Sequence, residues 1–188
     1  MRRAHDFYET PKYFVDVLFN AVPTIRLGHN IEPCVGDGAI ARFLPNCDTN
    51  DIDHQRTANW HFDAACDWPH SEFYDWGVSN PPFKFALPIL QQMVAHCQYV
   101  AAVLRISFFE PTKDRVEWLS KNPPSGLIYL PRYSFTNNGK SDMTTVCWAL
   151  WNYPMTPAIQ IAQRFPVESE PAEPSLYEEF EGVRLTAD

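Results

Sequence analysis

Two consecutive prolines, Pro81 and Pro82, stand just beyond the run Tyr74 to Ser79, which is apolar enough to read as a buried strand. Proline fixes φ and has no N–H, so the strand has to stop at Asn80. The residue before a proline is also held out of the helical region, so Asn80 and Pro81 are expected to be extended. Asn80-Pro81-Pro82-Phe83 therefore reads as a rigid exit from a strand, with a carboxamide at one end and an aromatic ring at the other.

The rest of the chain alternates between strand and helix patterns. Residues 12–22 read as an amphipathic helix, with Thr10 as a candidate N-cap and Pro11 in the first turn. Residues 30–33 form a short strand, Gly36 and Gly38 the turn after it, and 39–44 the start of a helix. Further strands are expected at 49–53, 60–63, 74–79, 98–106, 127–130 and 144–151. Helices are expected at 84–97, with Pro88 in the first turn, and at 113–121, stopped by Asn122-Pro123-Pro124. This alternation predicts an α/β fold with a doubly wound, mostly parallel, seven-stranded sheet. No helical pattern separates the last two strands, so the final strand is expected to be antiparallel.

A chain of 188 residues suffices for one α/β domain. The catalytic domain is expected over residues 1–153. Residues 154–188, with Pro154, Pro157, Pro166, Pro171 and Pro174 among many glutamates, read as an acidic, partly disordered tail. The net charge of −8 is unevenly spread: residues 166–188 hold seven acidic residues against Arg184, which leaves the body near neutral. There is no basic footprint of the kind that marks tight non-specific DNA binding. No run of 18 apolar residues suggests a membrane span, and the N-terminus has no apolar core for a signal peptide. Five cysteines without a CxxC pair are expected to stay reduced, in a cytoplasmic setting. The six histidines show no ligand spacing, so no metal is expected.

About 45 residues before the prolines comes Glu32-Pro33-Cys34-Val35-Gly36-Asp37-Gly38. A glycine turn after one strand and Asn-Pro-Pro-aromatic after a later one resemble the class I S-adenosylmethionine-dependent methyltransferases that act on planar nitrogens, above all the DNA adenine amino-methyltransferases. The likeness covers residues 7–152. The order of the motifs resembles the gamma arrangement. The stretches Arg105 to Glu110 and Tyr133 to Trp148 resemble the phage-type enzymes. The fold this implies is Rossmann-like, the cofactor is S-adenosylmethionine, and the partner is DNA with its target adenine flipped out, in a bacterial host cell. A homo-oligomer is compatible with this reading.

The resemblance also implies roles. The exocyclic amino group of adenine is a poor nucleophile, because its lone pair is delocalised into the ring. Acceptors on its two N–H groups, the Asn80 side-chain oxygen and the Pro81 carbonyl, would draw the nitrogen towards tetrahedral geometry. Pro82 stiffens the loop, and Phe83 would stack on the base. Phe7, Tyr8, Thr10 and Pro11 are expected to close over the methionine end of the cofactor. Glu32, Pro33, Gly36 and Gly38 form its turn. Asp51, Ile52 and Asp53 would meet the ribose, with Asp51 preferred, and Asp63 the cofactor's adenine. The family often has Phe where Cys34 stands. Phe135, then Tyr133, would pack on the flipped base, with Lys140 near phosphate. Alternatives stay open: an RNA adenine or guanine amino-methyltransferase, a protein glutamine methyltransferase, or a degenerate binding protein without turnover.

Overall fold

The structure, a computed structural model, describes residues 9–110, 112–131 and 145–162. Seven strands form one sheet: β1 (Asn30–Glu32), β2 (Cys47–Thr49), β3 (Tyr74–Ser79), β4 (Cys97–Arg105), β5 (Gly126–Tyr129), β6 (Val146–Trp151) and β7 (Ile159–Ile161). Their order across the sheet is β2-β1-β3-β4-β6-β5-β7. The first four run parallel; β6 is antiparallel to both β4 and β5, and β7 is parallel to β5. This is the doubly wound, mixed sheet that the alternation predicts.

Three strands differ from expectation. The one expected at 49–53 lies at Cys47–Thr49, so Asp51, Ile52 and Asp53 follow the strand instead of ending it. Residues 60–63 form no strand, only a single bridge between Trp60 and Asn50. A side chain replaces the missing ladder. Asn50 Nδ2 donates to the Pro33 carbonyl at 2.9 Å and to the Phe62 carbonyl at 3.1 Å, while its Oδ1 accepts from the Phe62 N–H at 2.9 Å. The seventh strand comes instead from β7, which lies beyond residue 153. Ile159-Gln160-Ile161 is too short, and too close to Pro154 and Pro157, to stand out from a proline-rich tail. The helix expected at 39–44 shrinks to a 3-10 turn, Ala41–Phe43, because Pro45 keeps Leu44 out of the helical region.

Each face of the sheet carries its own core. Helix α1 (Lys12–Ala21) packs Phe14, Val15, Leu18 and Phe19 against Trp76, Val78, Ala101, Val103, Trp148 and Leu150. Helix α2 (Ala86–His96) packs Ile89, Leu90 and Met93 on the other face, against Tyr74, Val100, Ala102, Leu104, Cys147 and Trp151. The period of two along β4 and β6 sorts these residues between the faces. Each such valine, leucine, isoleucine, phenylalanine or methionine side chain contributes about 1.5–3 kcal/mol when fully buried. Pro88 sits in the first turn of α2, where its missing N–H costs nothing. Helix α3 (Lys113–Lys121) lays Trp118 on Trp151, their ring centroids 5.8 Å apart. Two polar bonds anchor α1: the Trp148 indole donates to the Phe14 carbonyl at 2.8 Å, and the Tyr13 hydroxyl donates to the Pro131 carbonyl at 3.1 Å. They fix where the chain enters α1, and so where Thr10 stands.

Candidate active site

Because β1 to β4 run parallel, Glu32, Thr49, Ser79 and Arg105 all end at one edge of the sheet. Open α/β sheets bind ligands at such an edge. Glu32 is 2% exposed, and its carboxylate accepts from the Ala41 N–H at 2.7 Å. Burial holds its pKa well above the ordinary carboxylate range. The Ala41 bond pulls the other way, nearby Asp51 adds to the rise, and Arg42 opposes it. After Pro33 the chain turns through Gly36 at φ 52° and Gly38 at φ 73°, both left-handed, where glycine avoids the Cβ clash. A side-chain carbon built on Gly38 would meet nothing within 4 Å, so the loop borders open space.

Asp51 ties this loop to the end of β2. One carboxylate oxygen accepts from the Gly36 N–H and the other from the Asp53 N–H, each at 2.9 Å. A carboxylate has about four acceptor sites, so these bonds still allow it to meet a ligand hydroxyl. Asp53 accepts from the Gln55 N–H at 3.0 Å. Arg56 pairs with Asp37 and lies 3.7 Å from Asp53, so it joins the glycine loop to the segment after β2. Arg42 holds the same loop from the other side, donating to the Gly38 and Asp37 carbonyls at 2.9 and 3.2 Å. Ile52 is 60% exposed beside Asp51. Exposed Asp63 accepts from the Ala65 N–H at 2.9 Å. Burial pushes the Cys34 thiol up to about 12, so it stays protonated.

The second half of the site is the exit of β3. The Asn80 Nδ2 donates to the Thr10 Oγ1 at 3.0 Å. Thr10 is therefore not the cap of α1. Pro11 holds that position with an extended ψ of 141° and no side-chain bond, while the buried Thr10 hydroxyl faces Asn80. The Pro82 carbonyl accepts from the Phe85 N–H at 2.8 Å, which starts the turn Phe83–Phe85 leading into α2. Phe83 is half-buried against the first core cluster. The Arg105 guanidinium lies over its ring, 4.3 Å from the centroid.

The fold thus gathers Thr10, Pro11, Glu32, Pro33, Gly36, Gly38, Asp51, Ile52, Asp53, Asp63 and the tetrapeptide 80–83 around the carboxyl edge and the loops that follow it. Phe7, Tyr8, Tyr133, Phe135 and Lys140 lie outside the described residues. Sequence reasoning missed Asn50, Arg42, Arg56 and the stacking of Arg105. Arg42, four residues after Gly38, and Arg56, three after Asp53, carry local spacings that could have revealed them. Among the described residues no three His, Cys, Asp or Glu side chains gather as metal ligands, and no helix is long and apolar enough to cross a membrane.

The sheet and its edge define a class I, Rossmann-like methyltransferase fold. By sequence the chain matches no protein-family model and no curated protein. By structure it is similar to a candidate RNA methyltransferase from Pyrococcus horikoshii, at TM-score 0.58 and 13% identity over 78% of this chain and 86% of that one. A candidate class I S-adenosylmethionine-dependent methyltransferase from Listeria monocytogenes matches at TM-score 0.60 and 11% identity, over 85% of this chain and 66% of its own. The type I restriction-modification methyltransferase subunit from Streptococcus thermophilus matches at TM-score 0.59 and 14% identity, over 82% of this chain. The match spans 46% of that subunit.

Proposed function

We infer that the chain is an S-adenosylmethionine-dependent methyltransferase acting on the exocyclic amino nitrogen (N6) of adenine in DNA. The observation that carries this reading is the bond from Asn80 to Thr10. It commits the nitrogen end of the carboxamide to the protein, and so sets the direction of the oxygen end. An acceptor oriented in advance is what a planar amino group needs, since catalysis here is mainly positioning and electrostatics.

The residues fit the cofactor. Gly36 and Gly38 are both left-handed, Gly38 borders open space, and carboxylates stand at or just beyond the ends of β1 and β2. Glu32 with Gly36 and Gly38 would hold the methionine end, with Thr10 and Pro11 closing over it. Asp51, with Asp53 and Ile52 beside it, would meet the ribose, and Asp63 the adenine. Bound S-adenosylmethionine supplies an electrophilic methyl group. Asn80 Oδ1 and the Pro81 carbonyl accept from the two N–H groups of the target and draw its lone pair out of the ring plane. Pro81 and Pro82 keep these acceptors from relaxing. Phe83 supports the flipped base. As the new C–N bond formed, the methyl–sulfur bond would break with its electron pair passing to sulfur, and the nitrogen would then release one proton to water, so no strong base is required.

The test is a nucleoside digest of DNA and RNA after incubation with the protein and methyl-labelled cofactor, with a protein acceptor run in parallel. Label in N6-methyldeoxyadenosine is the expected outcome. Label confined to methylguanosine or methyladenosine from RNA, or to protein, replaces DNA adenine as the substrate.

A further inference from the structure

Arg105 is the last residue of β4 and shares the carboxyl edge with Asn80. An arginine carries five N–H donors and a permanent charge. The Arg105 Nε is buried and has no hydrogen-bond partner. None of the ion pairs among the described residues includes it. Other arginines at this end of the sheet are bonded: Arg42 and Arg115 to carbonyls, Arg56 to carboxylates. Arg26 also stacks on a phenylalanine, but it is exposed, so water satisfies it. A buried donor without an acceptor is costly to keep. Its place on the Phe83 ring, three residues along from Asn80, says where the acceptor would come from.

We propose that Arg105 reads the target base, donating through its Nε edge to the ring nitrogen that flanks the methylated amino group. This rests on the amino-methyltransferase reading. Adenine carries its amino group between two ring acceptors, N1 and N7. Asn80 and Pro81 accept from the amino group, and Arg105 donates beside them, so the three together match an alternating donor and acceptor edge. Such matched pairs are how side chains tell one base from another. The guanidinium lies on an aromatic ring with its Nε out of solvent. That suits a flat, neutral base edge better than a hydrated phosphate.

The experiment compares kcat/KM for wild type and Arg105→Gln on oligonucleotides carrying adenine, 1-deazaadenine or 7-deazaadenine. Transfer by the wild type to adenine must be seen first; its absence from every nucleic acid overturns the underlying reading before any variant is made. Arg105→Gln is expected to lose roughly 10- to 100-fold on adenine, with cofactor affinity by calorimetry and melting temperature kept. One deaza substrate is expected to cost the wild type a similar factor and to cost the variant nothing further. Equal deaza penalties in both proteins overturn the proposal. So do an unchanged variant, a variant that loses cofactor affinity, and a loss that follows a neutral methylphosphonate beside the target instead of the deaza position. If the glutamine variant does not fold, Arg105→Lys keeps the charge without the Nε donor and goes through the same comparison.

Discussion

Thr10 and Asn80 stand 70 residues apart in sequence and meet through one hydrogen bond. Asn80→Ala removes the proposed acceptor itself, and kcat is expected to fall about 10²–10³-fold, the loss typical of one preorganised transition-state contact. Thr10→Val keeps the shape but removes the oxygen that orients the amide. Its loss is expected to be smaller, about tenfold, and to fall on kcat more than on KM. Steady-state kinetics on both variants checks this, and equal KM effects without a kcat loss would contradict it. Glu32 makes a different prediction. Burial raises its pKa in the fold, so between the unfolded and folded values the native state holds a proton that the unfolded chain has released. Stability therefore falls as pH rises above the ordinary glutamate pKa of about 4.3. Glu32→Gln can still accept the Ala41 N–H. It is expected to raise the melting temperature at pH 7 and to leave it nearly unchanged at pH 4, as scanning calorimetry without cofactor would show.

At the scale of elements, Asn50 joins the exit of β1 to the strandless segment after β2. Asn50→Ala leaves the buried Pro33 carbonyl and both Phe62 backbone groups short of partners. The expected loss is about 2–3 kcal/mol, seen as a lower urea midpoint at unchanged slope. Sequence reading could not find this residue, because within a strand expected at 49–53 nothing local shows that its side chain bonds Pro33 and Phe62. The long elements were legible for the opposite reason. Cys97–Arg105 and Val146–Trp151 are apolar runs, and Lys12–Ala21 has a helical apolar stripe, so each was placed to within a few residues. The strand expected at 60–63 and the strand found at Ile159–Ile161 fall where three or four residues decide the matter by tertiary pairing alone. The site was legible through its prolines and glycines, whose backbone constraints are local. Arg105 was not, because its contact with Phe83, 22 residues away, is decided by packing; Arg42 and Arg56 have near partners in Gly38 and Asp53, but across a turn and a loop.

For the whole molecule, charge sets the terms on which a polyanion can approach. The chain carries −8, and residues 166–188 contribute most of the excess. Ending the chain at 165 is expected to lower KM for DNA several-fold at 50 mM salt. The gain should vanish near 0.5 M, where the Debye length falls to about 4–5 Å; an equal gain at both salt concentrations would mean the tail acts by something other than charge. A last consequence concerns the stretch from Asn50 to Phe73, which contains no helix or strand among its described residues yet carries Asp51, Asp53 and Asp63. A stretch of this length without secondary structure is uncommon in a compact domain. Its backbone amides have few ladder bonds to shield them, so in the free protein they should exchange with deuterium far sooner than those of β3 and β4. Cofactor resting on those three carboxylates would then also be the partner that finishes folding this flank. Mass spectrometry should show protection growing across residues 51–73 on adding S-adenosylhomocysteine, while the centre of the sheet, already slow, hardly changes. Part of the intrinsic affinity is spent on that ordering, which leaves the apparent affinity open to tuning by substitutions that never touch the ligand.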